Sequence, residues 1–342
     1  MGACMSKTGI VYHQDYLKHD PGRGYPERPE RLRAIVDALK RVGHWSSPNV
    51  RVIEPTPATR ADLELAHDPE YIALIERLSK FEKPLDADTP VHANTFELAL
   101  LAAGGAIATG RAVTTGEVLN AFALVRPPGH HAARASGGGF CYFNNIAVAV
   151  KSMGLKTLIL DIDCHAGNGT MDIFWRDDSV LYLSLHQWPC YPGVGWWNEV
   201  GVGAGEGFTV NLPLYPNTGD DVYMCFLKSF IPPLMEQFKP ELIGISAGFD
   251  AHRSDPLTQM NLSSHIYYQV GRLVYKSKVF AVLEGGYNLD ALPRAVLAFL
   301  AGIKGEQLAA DERPTITQEE IKEKSIQRLE EIKKSLSKYW DL

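Results

Sequence analysis

The sequence predicts an α/β protein with a single domain, built on an eight-stranded, mainly parallel sheet with helices on both faces. Short apolar runs rich in β-branched residues recur along the chain, and helix-compatible segments separate most of them. This alternation is typical of parallel sheets that are covered on both sides. The 342 residues, 45% hydrophobic and 22% charged, are enough for one large core.

Each predicted element follows from its local pattern. Eight runs have the length and composition of buried strands: residues 9–12, 50–53, 122–125, 157–162, 180–185, 208–212, 242–246 and 279–283. Six segments have a helical pattern: residues 27–42, 60–79, 95–113, 145–153, 220–237 and 263–274. The domain core is expected to span about residues 8–305.

The remaining residues, 306–342, are predicted to form a helical extension. Thr317 is the expected N-cap, because a threonine followed by Gln-Glu-Glu is a typical helix start. A rough apolar face follows at Ile321, Ile326, Leu329, Ile332 and Leu336. We expect this helix to pack on the domain rather than to bind a partner.

Charge and cysteine content exclude several function classes. The net charge of −6 and the lack of a Lys/Arg cluster argue against a direct nucleic-acid partner. The sequence lacks a continuous stretch of about 18 apolar residues, so no membrane span is expected. The five cysteines, at positions 4, 141, 164, 190 and 225, show no paired spacing, which favours free thiols and a cytoplasmic location. Residues 1–6 fit the acylation pattern M-G-x-x-x-S, but the pattern is short, and a disordered leader is favoured over lipidation.

The stretch D-I-D-C-H-A-G-N-G-T, which begins at Asp161, follows a predicted buried strand. Alternate residues of an extended chain point to one side, so Asp161, Asp163 and His165 are expected to lie close together. Carboxylates and an imidazole suit a divalent metal ion, and a catalytic zinc ion typically takes three protein ligands; Asp250, just past another strand, is the candidate for the third. The alternative is that the carboxylates cap a turn and His165 packs in the core.

Polar or glycine-rich stretches also stand at other expected strand ends. R-P-P-G-H-H contains the adjacent histidines His130 and His131, a residue type suited to acid–base work near neutral pH. L-E-G-G-Y presents the phenol of Tyr287, and G-G-G-F-C-Y supplies flexible backbone and aromatic rings that would line a tunnel. Each stretch alone is typical of a loop, but together they predict an active site.

With these motifs in view, the chain resembles the histone deacetylase family, which has the arginase/deacetylase fold. The resemblance covers about residues 12–300 and keeps the family's order of motifs. These are P-E-R-P-E-R-L, R-P-P-G-H-H, G-G-G-F-C-Y-F-N-N, D-I-D-C-H-A-G-N-G-T, S-L-H, A-G-F-D-A-H-R-S-D-P-L and L-E-G-G-Y-N-L. The sequences of these motifs resemble class II and its bacterial and archaeal relatives more than class I.

The resemblance implies catalytic roles for several residues. Asp163, His165 and Asp250 would hold a catalytic Zn²⁺. His131 would act as general base and then acid with Asn168 as its partner, while His130 assists and is oriented by Asp161. Tyr287 would donate a hydrogen bond to the oxyanion.

The resemblance also implies substrate-binding residues and a structural potassium ion. Phe140, Gly139 and Tyr191 would line a channel for an acylated lysine, with Leu257 at its entrance and Asp88 holding the substrate backbone at the rim. Potassium would be bound by Asp161, Ser184 and the carbonyl groups of Asp163, His165 and Leu185.

One position departs from the family's pattern. The residue after the ligand histidine is usually a second histidine, and here it is Ala166. The change leaves the three ligands in place but removes an outer group, so a metal affinity or rate reduced by roughly 10–100-fold is expected.

Three functions are compatible with the sequence. The first is a zinc-dependent deacylase for acyl-lysine in proteins or peptides. The second is a deacetylase for acetylpolyamines or other acylated small amines; polyamine-selective relatives place an acidic residue after Asp-Pro or narrow the entrance, whereas here Leu257 follows Asp255-Pro256. The third is an inactive acyl-lysine binding protein, which the presence of Tyr287 disfavours. Ureohydrolase chemistry is disfavoured, because ligands for a second metal are not apparent.

Overall fold

Eight strands form one sheet in the computed structural model, which describes residues 7–308 and 312–342. The strands are β1 Thr8–Val11, β2 Val50–Ile53, β3 Asn120–Ala123, β4 Thr157–Asp161, β5 Val180–Gln187, β6 Thr209–Leu214, β7 Leu242–Ala247 and β8 Val279–Leu283. Their order across the sheet is β2-β1-β3-β8-β7-β4-β5-β6, and all seven pairings are parallel. The predicted α/β fold is confirmed, with strand ends that differ from the prediction by at most two residues.

Ten α-helices cover this sheet within the described residues. They are α1 Glu30–Arg41, α2 Arg60–Glu64, α3 Pro69–Phe81, α4 Thr95–Thr114, α5 Asn145–Met153, α6 Asn168–Ile173, α7 Asp220–Phe238, α8 Ser264–Val274, α9 Ala291–Lys304 and α10 Glu319–Leu336. Short 3₁₀ turns span Gln14–Lys18 and Gly203–Gly205. The sequence analysis did not assign α6 or α9 to any element.

The helix predicted over residues 60–79 is two helices. The first, α2, begins at a capping box in which Thr59 and Asp62 bond each other's backbone amides. The chain then turns, and Asp68 is extended, with ψ 140°, immediately before Pro69 opens α3. A residue before proline is sterically excluded from the helical region, so the continuous helix was wrong at this point.

Helix α4 is long and apolar enough to cross a membrane by length and composition, contrary to expectation. However, 72% of its most apolar window is buried inside the protein. It packs against β1, β3, β8 and α5. This burial is typical of a core helix.

The C-terminal helix begins one residue later than predicted and has a different cap. Gln318 is the N-cap of α10 and makes no side-chain capping bond. The hydroxyl of Thr317 instead donates to Asp221 and accepts from the Gly219 amide. Ile326, assigned to the apolar face, is 39% exposed, because only the stripe Leu329, Ile332 and Leu336 faces β6 and α7.

The four described cysteines are free thiols. The acylation pattern and Cys4 fall in residues 1–6, which lie outside the described residues.

The sheet positions the strand-end motifs on one edge. Parallel strands end on the same side, and β3, β8, β7 and β4 are consecutive neighbours in the sheet. The loops after these strands contain the adjacent histidines, Tyr287, Asp250 and Asp163, respectively. The chemistry of all four loops therefore converges.

A buried charge cluster supports this edge. The carboxylate of Glu27 is bonded to the guanidinium groups of both Arg31 and Arg126. Arg31 also donates to the backbone carbonyl groups of Glu284 and Gly286, next to Tyr287. Burial would raise the pKa of Glu27, but Arg126 overrides that effect and lowers the pKa to about 2. The stabilisation is therefore present above about pH 4.5 and is lost as the pH falls towards 2.

We predict that Glu27→Ala destabilises the protein strongly, because it leaves two buried guanidinium groups without their counter-charge. The free energy of unfolding should fall by about 3–5 kcal/mol in urea titrations followed by circular dichroism. Glu30→Ala, which removes the exposed partner of Arg33, is the control and should cost less than about 1 kcal/mol. Equal losses for the two variants would contradict the role given to Glu27.

Candidate active site

Three side chains from two loops meet at the carboxyl edge of the sheet. Nδ1 of His165 lies 3.0 Å from Oδ1 of Asp163 and 3.0 Å from Oδ2 of Asp250. One donor atom of each residue lies within 4.8 Å of the others, and both carboxylates are buried. One imidazole and two carboxylates are a donor set that suits Zn²⁺ with a further position left open. The residues therefore fit a divalent metal ion.

Backbone amides fix both carboxylates. Oδ2 of Asp163 accepts from the Gly285 amide at 2.8 Å, and Oδ1 of Asp250 accepts from the Cys164 amide at 2.7 Å. These bonds tie the loops after β4, β7 and β8 together. A Cβ at Gly285 would lie 2.5 Å from Asp250 and 2.6 Å from Asp163, so only glycine fits there.

Asp161 lies beside this group rather than in it. The strand ends at Asp161, so the alternation expected through Asp163 and His165 does not continue, and that part of the geometric prediction was wrong. The Asp161 carboxylate instead contacts Nδ1 of His130 at 3.1 Å and accepts from the Tyr182 hydroxyl and the Asp163 amide. This placement agrees with the position that the family resemblance gives it.

The two adjacent histidines have opposite electrostatic environments. Burial would lower the pKa of His130, but Asp163 and Asp161 raise it to about 10. The pKa of His131 is held well below 6.5 by burial and by the nearby His130 and His165. Nδ1 of His131 lies 2.7 Å from Oδ1 of Asn168. At neutral pH, His131 is therefore the neutral member of the pair.

Two buried carboxylates that the sequence analysis did not single out support the neighbouring loops. Glu284 accepts from the amides of Gly129 and His130, directly behind the histidine pair. Asp255 accepts from the amides of Leu257 and Tyr287 and so joins two walls of the site. Both residues stand inside the motifs L-E-G-G-Y and D-P-L, and for Glu284 the available signal was an acidic residue directly after an apolar strand.

A cavity of about 240 Å³ opens onto the histidines and the metal-binding group. It is lined by all five residues assigned to substrate binding, together with one ligand and two catalytic candidates: Asp88, Gly139, Phe140, Tyr191, Leu257, His165, His131 and Tyr287. A larger cavity of about 630 Å³ beside α1 and α9 contains none of them. Chemistry rather than size therefore identifies the site.

The walls of the cavity are aromatic and closely packed. The Phe140 ring lies 6.0 Å from that of Tyr287, and the Tyr191 ring lies 4.9 Å from that of His131. Gly139 has φ +55°, and a Cβ there would lie 2.6 Å from the His131 ring. The glycine allows the backbone itself to form one wall. Asp88 lies at the exposed rim and accepts from Thr89.

Of the residues assigned to potassium, Asp161 and Ser184 are partners in the β4–β5 register and are both buried. The Ser184 hydroxyl lies 2.8 Å from Nδ1 of His186, and Leu185 follows in β5.

Comparisons with known proteins show which family the chain and its fold are similar to. A sequence model described as the histone deacetylase domain matches residues 25–303. The chain is 42% identical to a probable deacetylase of Archaeoglobus fulgidus, over 97% of this chain and 98% of that protein. It is 38% identical to the polyamine deacetylase HDAC10 of Mus musculus, over 87% of this chain and 48% of that protein. The crystal structure of the HDA15 HD domain superposes with a TM-score of 0.90 at 33% identity, covering 98% of this chain and 97% of that one.

We predict that metal retention depends on Asp250. Asp250→Asn keeps an oxygen for the Cys164 amide but removes the anionic donor, so after zinc loading and dialysis the bound zinc should fall from about one equivalent to far less. Elemental analysis by mass spectrometry measures this directly. Asp172→Ala, which removes an exposed carboxylate from α6, should retain zinc like the unaltered protein. Full zinc in a folded Asp250→Asn protein would refute the assignment.

Proposed function

Because the chain belongs to the histone deacetylase family, we propose that it is a zinc-dependent amidohydrolase that removes acyl groups, acetyl above all, from lysine side chains of proteins or peptides. The observation that carries this proposal is the single cavity shared by His131, His165, Tyr287 and the aromatic walls. A zinc ion held by Asp163, His165 and Asp250 would act as a Lewis acid and lower the pKa of a bound water molecule.

His131 is the proposed general base. The Asn168 oxygen accepts a hydrogen bond from the Nδ1–H group of His131 and so fixes the tautomer, which leaves Nε2 free to take a proton from water. The low pKa keeps that nitrogen unprotonated at neutral pH. The same nitrogen then returns the proton to the leaving amine.

His130 has a different proposed role. Its Nδ1 contacts Asp161, and Asp163 and Asp161 raise its pKa to about 10, so we assign it as the protonated member of the pair. The His130 ring lies 4.0 Å from the His131 ring, and its positive charge helps to keep the pKa of His131 low. The same charge offsets the negative charge of the neighbouring carboxylates. His130 therefore assists rather than transfers the proton.

Tyr287 is the proposed oxyanion donor. Burial raises the pKa of its phenol well above 10, so the hydroxyl keeps its proton. The guanidinium of Arg31 lies 4.9 Å from the ring centre and supports it from behind. A donor that meets the carbonyl oxygen as it gains charge stabilises the transition state more than the substrate.

The shape of the cavity favours an extended aliphatic side chain. Phe140 and Tyr191 provide apolar walls for the methylene groups of lysine, and Leu257 adds an apolar contact at the entrance. The retained Tyr287 argues against a protein that only binds acyl-lysine.

A second candidate substrate is an acetylpolyamine or another acylated small amine. Asp86 and Asp88 are exposed at the rim, and burial and Asp86 together raise the pKa of Asp88. Such an acidic rim would attract a substrate with a second ammonium group, as would a basic peptide. The apolar Leu257 in place of an acidic residue favours acyl-lysine.

We also propose that potassium is bound at Asp161 and Ser184, with carbonyl groups of Asp163, His165 and Leu185. The adjacency of Asp161 and Ser184 in the sheet supports this proposal. Potassium there would neutralise the Asp161 carboxylate next to the metal-binding loop.

A substrate panel separates the candidate functions. With zinc-loaded protein, we expect kcat/KM for acetyl-lysine peptides to exceed that for acetylpolyamines by at least about tenfold, because Leu257 offers the second ammonium group no counter-charge at the entrance. A hydroxamate, which chelates through two oxygens, should inhibit. The reverse order of kcat/KM would replace acyl-lysine with acetylpolyamine, and hydroxamate-sensitive binding without turnover would identify an inactive protein.

Tyr287→Phe tests the oxyanion role. Removing only the phenol oxygen should lower kcat by about 10²–10³ while KM and zinc content stay nearly unchanged. Tyr191→Phe is the matched control, because the same oxygen is lost from a ring that only walls the cavity, and it should retain kcat. A Tyr287→Phe enzyme within about threefold of the unaltered kcat would rule out this role, since the expected loss is several times RT.

A further inference from the structure

The loop of residues 188–199, here called the aromatic loop, follows β5 and supplies Tyr191 to the cavity wall. Three of the six tryptophans of the chain lie in it, at positions 188, 196 and 197. Their rings form one stack: Trp188 lies 5.1 Å from Trp196, and Trp196 lies 3.9 Å from Trp197. A movement of this stack would therefore move the chain that carries Tyr191.

The inner side of the aromatic loop is anchored to the sheet. The Trp188 amide donates to the Leu214 carbonyl, and Nε2 of His186 donates to the Gly195 carbonyl at 2.8 Å. The amides of Gly195 and Trp196 both donate to Glu199. These bonds fix the two ends of the loop, while Tyr191 projects between them and is 46% exposed.

The outer side of the loop is covered by one side chain of α10. The guanidinium carbon of Arg328 lies 3.5 Å from the ring centre of Tyr215, 5.2 Å from that of Trp196 and 5.8 Å from that of Trp197. One of its nitrogens donates to the Pro213 carbonyl at 3.2 Å. Arg328 is only 7% exposed. Its side chain thus joins the helix, β6 and the aromatic loop.

Burying an arginine at position 328 costs free energy that an apolar side chain would not, so packing of α10 alone does not explain this residue. Within the described ranges, Arg328 makes no ion pair with a carboxylate, and a buried charge without a counter-charge is unfavourable. Aromatic faces and one carbonyl compensate for the lost hydration. Leu329, Ile332 and Leu336 already supply the apolar contacts that dock α10. The guanidinium is therefore specific to the rings of Tyr215, Trp196 and Trp197.

We propose that Arg328 is a positioning residue that holds the aromatic loop, and with it Tyr191, against the substrate channel. This inference rests on the proposed function, since Tyr191 is taken as a wall of that channel. Arg328 acts on substrate binding and not on the chemical step, because its contacts are with Tyr215, Pro213 and the tryptophans of the loop that carries Tyr191, and with none of the proton-transfer groups.

Arg328→Ala tests the proposal with two independent measurements. Hydrogen exchange followed by mass spectrometry should show faster exchange in peptides that cover residues 188–199, where the amides of Gly195 and Trp196 are bonded to Glu199. KM for an acetyl-lysine peptide should rise about threefold or more, the factor expected for even a weak cation–π contact, while kcat stays within about twofold. Arg328→Lys keeps the charge without the planar stacking surface and should give an intermediate result.

Two further variants make the test decisive. Ile332→Val removes one methylene from the buried face of α10 and should leave both measurements unchanged. Tyr215→Leu removes the nearest ring without altering α10, and it should reproduce the Arg328→Ala result even if Arg328→Ala does not fold. Unchanged exchange in residues 188–199 of the folded variants overturns the proposal, as does an unchanged KM. The exchange measurement needs no turnover, so it stands even if the protein does not hydrolyse acyl-lysine.

Discussion

Burying three carboxylates close together is the constraint on which the rest of the site depends. Asp161, Asp163 and Asp250 are each at most 1% exposed, and unpaired buried charges of one sign cost several kcal/mol each. The protein offsets this cost with the imidazoles of His130 and His165 and with backbone amides from neighbouring loops. Parallel strands that end side by side bring such amides from several loops to one place. The all-parallel order β8-β7-β4 thus serves the charge arrangement directly.

The same constraint separates two residues of identical type. His130 and His131 are adjacent in the sequence, yet one faces Asp161 and Asp163 and the other faces the amide of Asn168. Burial acts to lower both pKa values, but the carboxylates raise that of His130, whereas His130 and His165 lower that of His131 further, so the two pKa values move in opposite directions. Pairs of titratable groups with separated pKa values are typical of acid–base sites. The different roles of His130 and His131 follow from the groups around each ring. The sequence His-His alone does not reveal those groups, because they come from other parts of the chain.

Sequence patterns predicted the features that depend on local order along the chain. The strands and Asp250 were predictable, because a polar residue that follows an apolar run lies at the shared edge even when 85 residues separate it from His165. The break between α2 and α3 had a local signal, Pro69, that the helical interpretation overlooked. Arg328 had none. Its aromatic partners are over 100 residues away, and an arginine in a polar helix is unremarkable until the fold places it on their rings.

Ala166, which departs from the family's pattern, also contacts a residue that is distant in the sequence. A Cβ at Gly195 would lie 2.8 Å from the methyl group of Ala166 and 2.7 Å from Nε2 of His186, so the aromatic loop lies directly on this alanine. A histidine at position 166 would need the space that the Gly195 backbone fills. The backbone of Gly195 therefore fills the space that the ring of a histidine would occupy. The Gly195 carbonyl accepts a hydrogen bond from His186 there. The small side chain of Ala166 thus lets the aromatic loop approach the residue next to His165. His186 also contacts Ser184 in β5, which pairs with β4. The loop that forms the channel wall is therefore joined to the strands that support the metal-binding group.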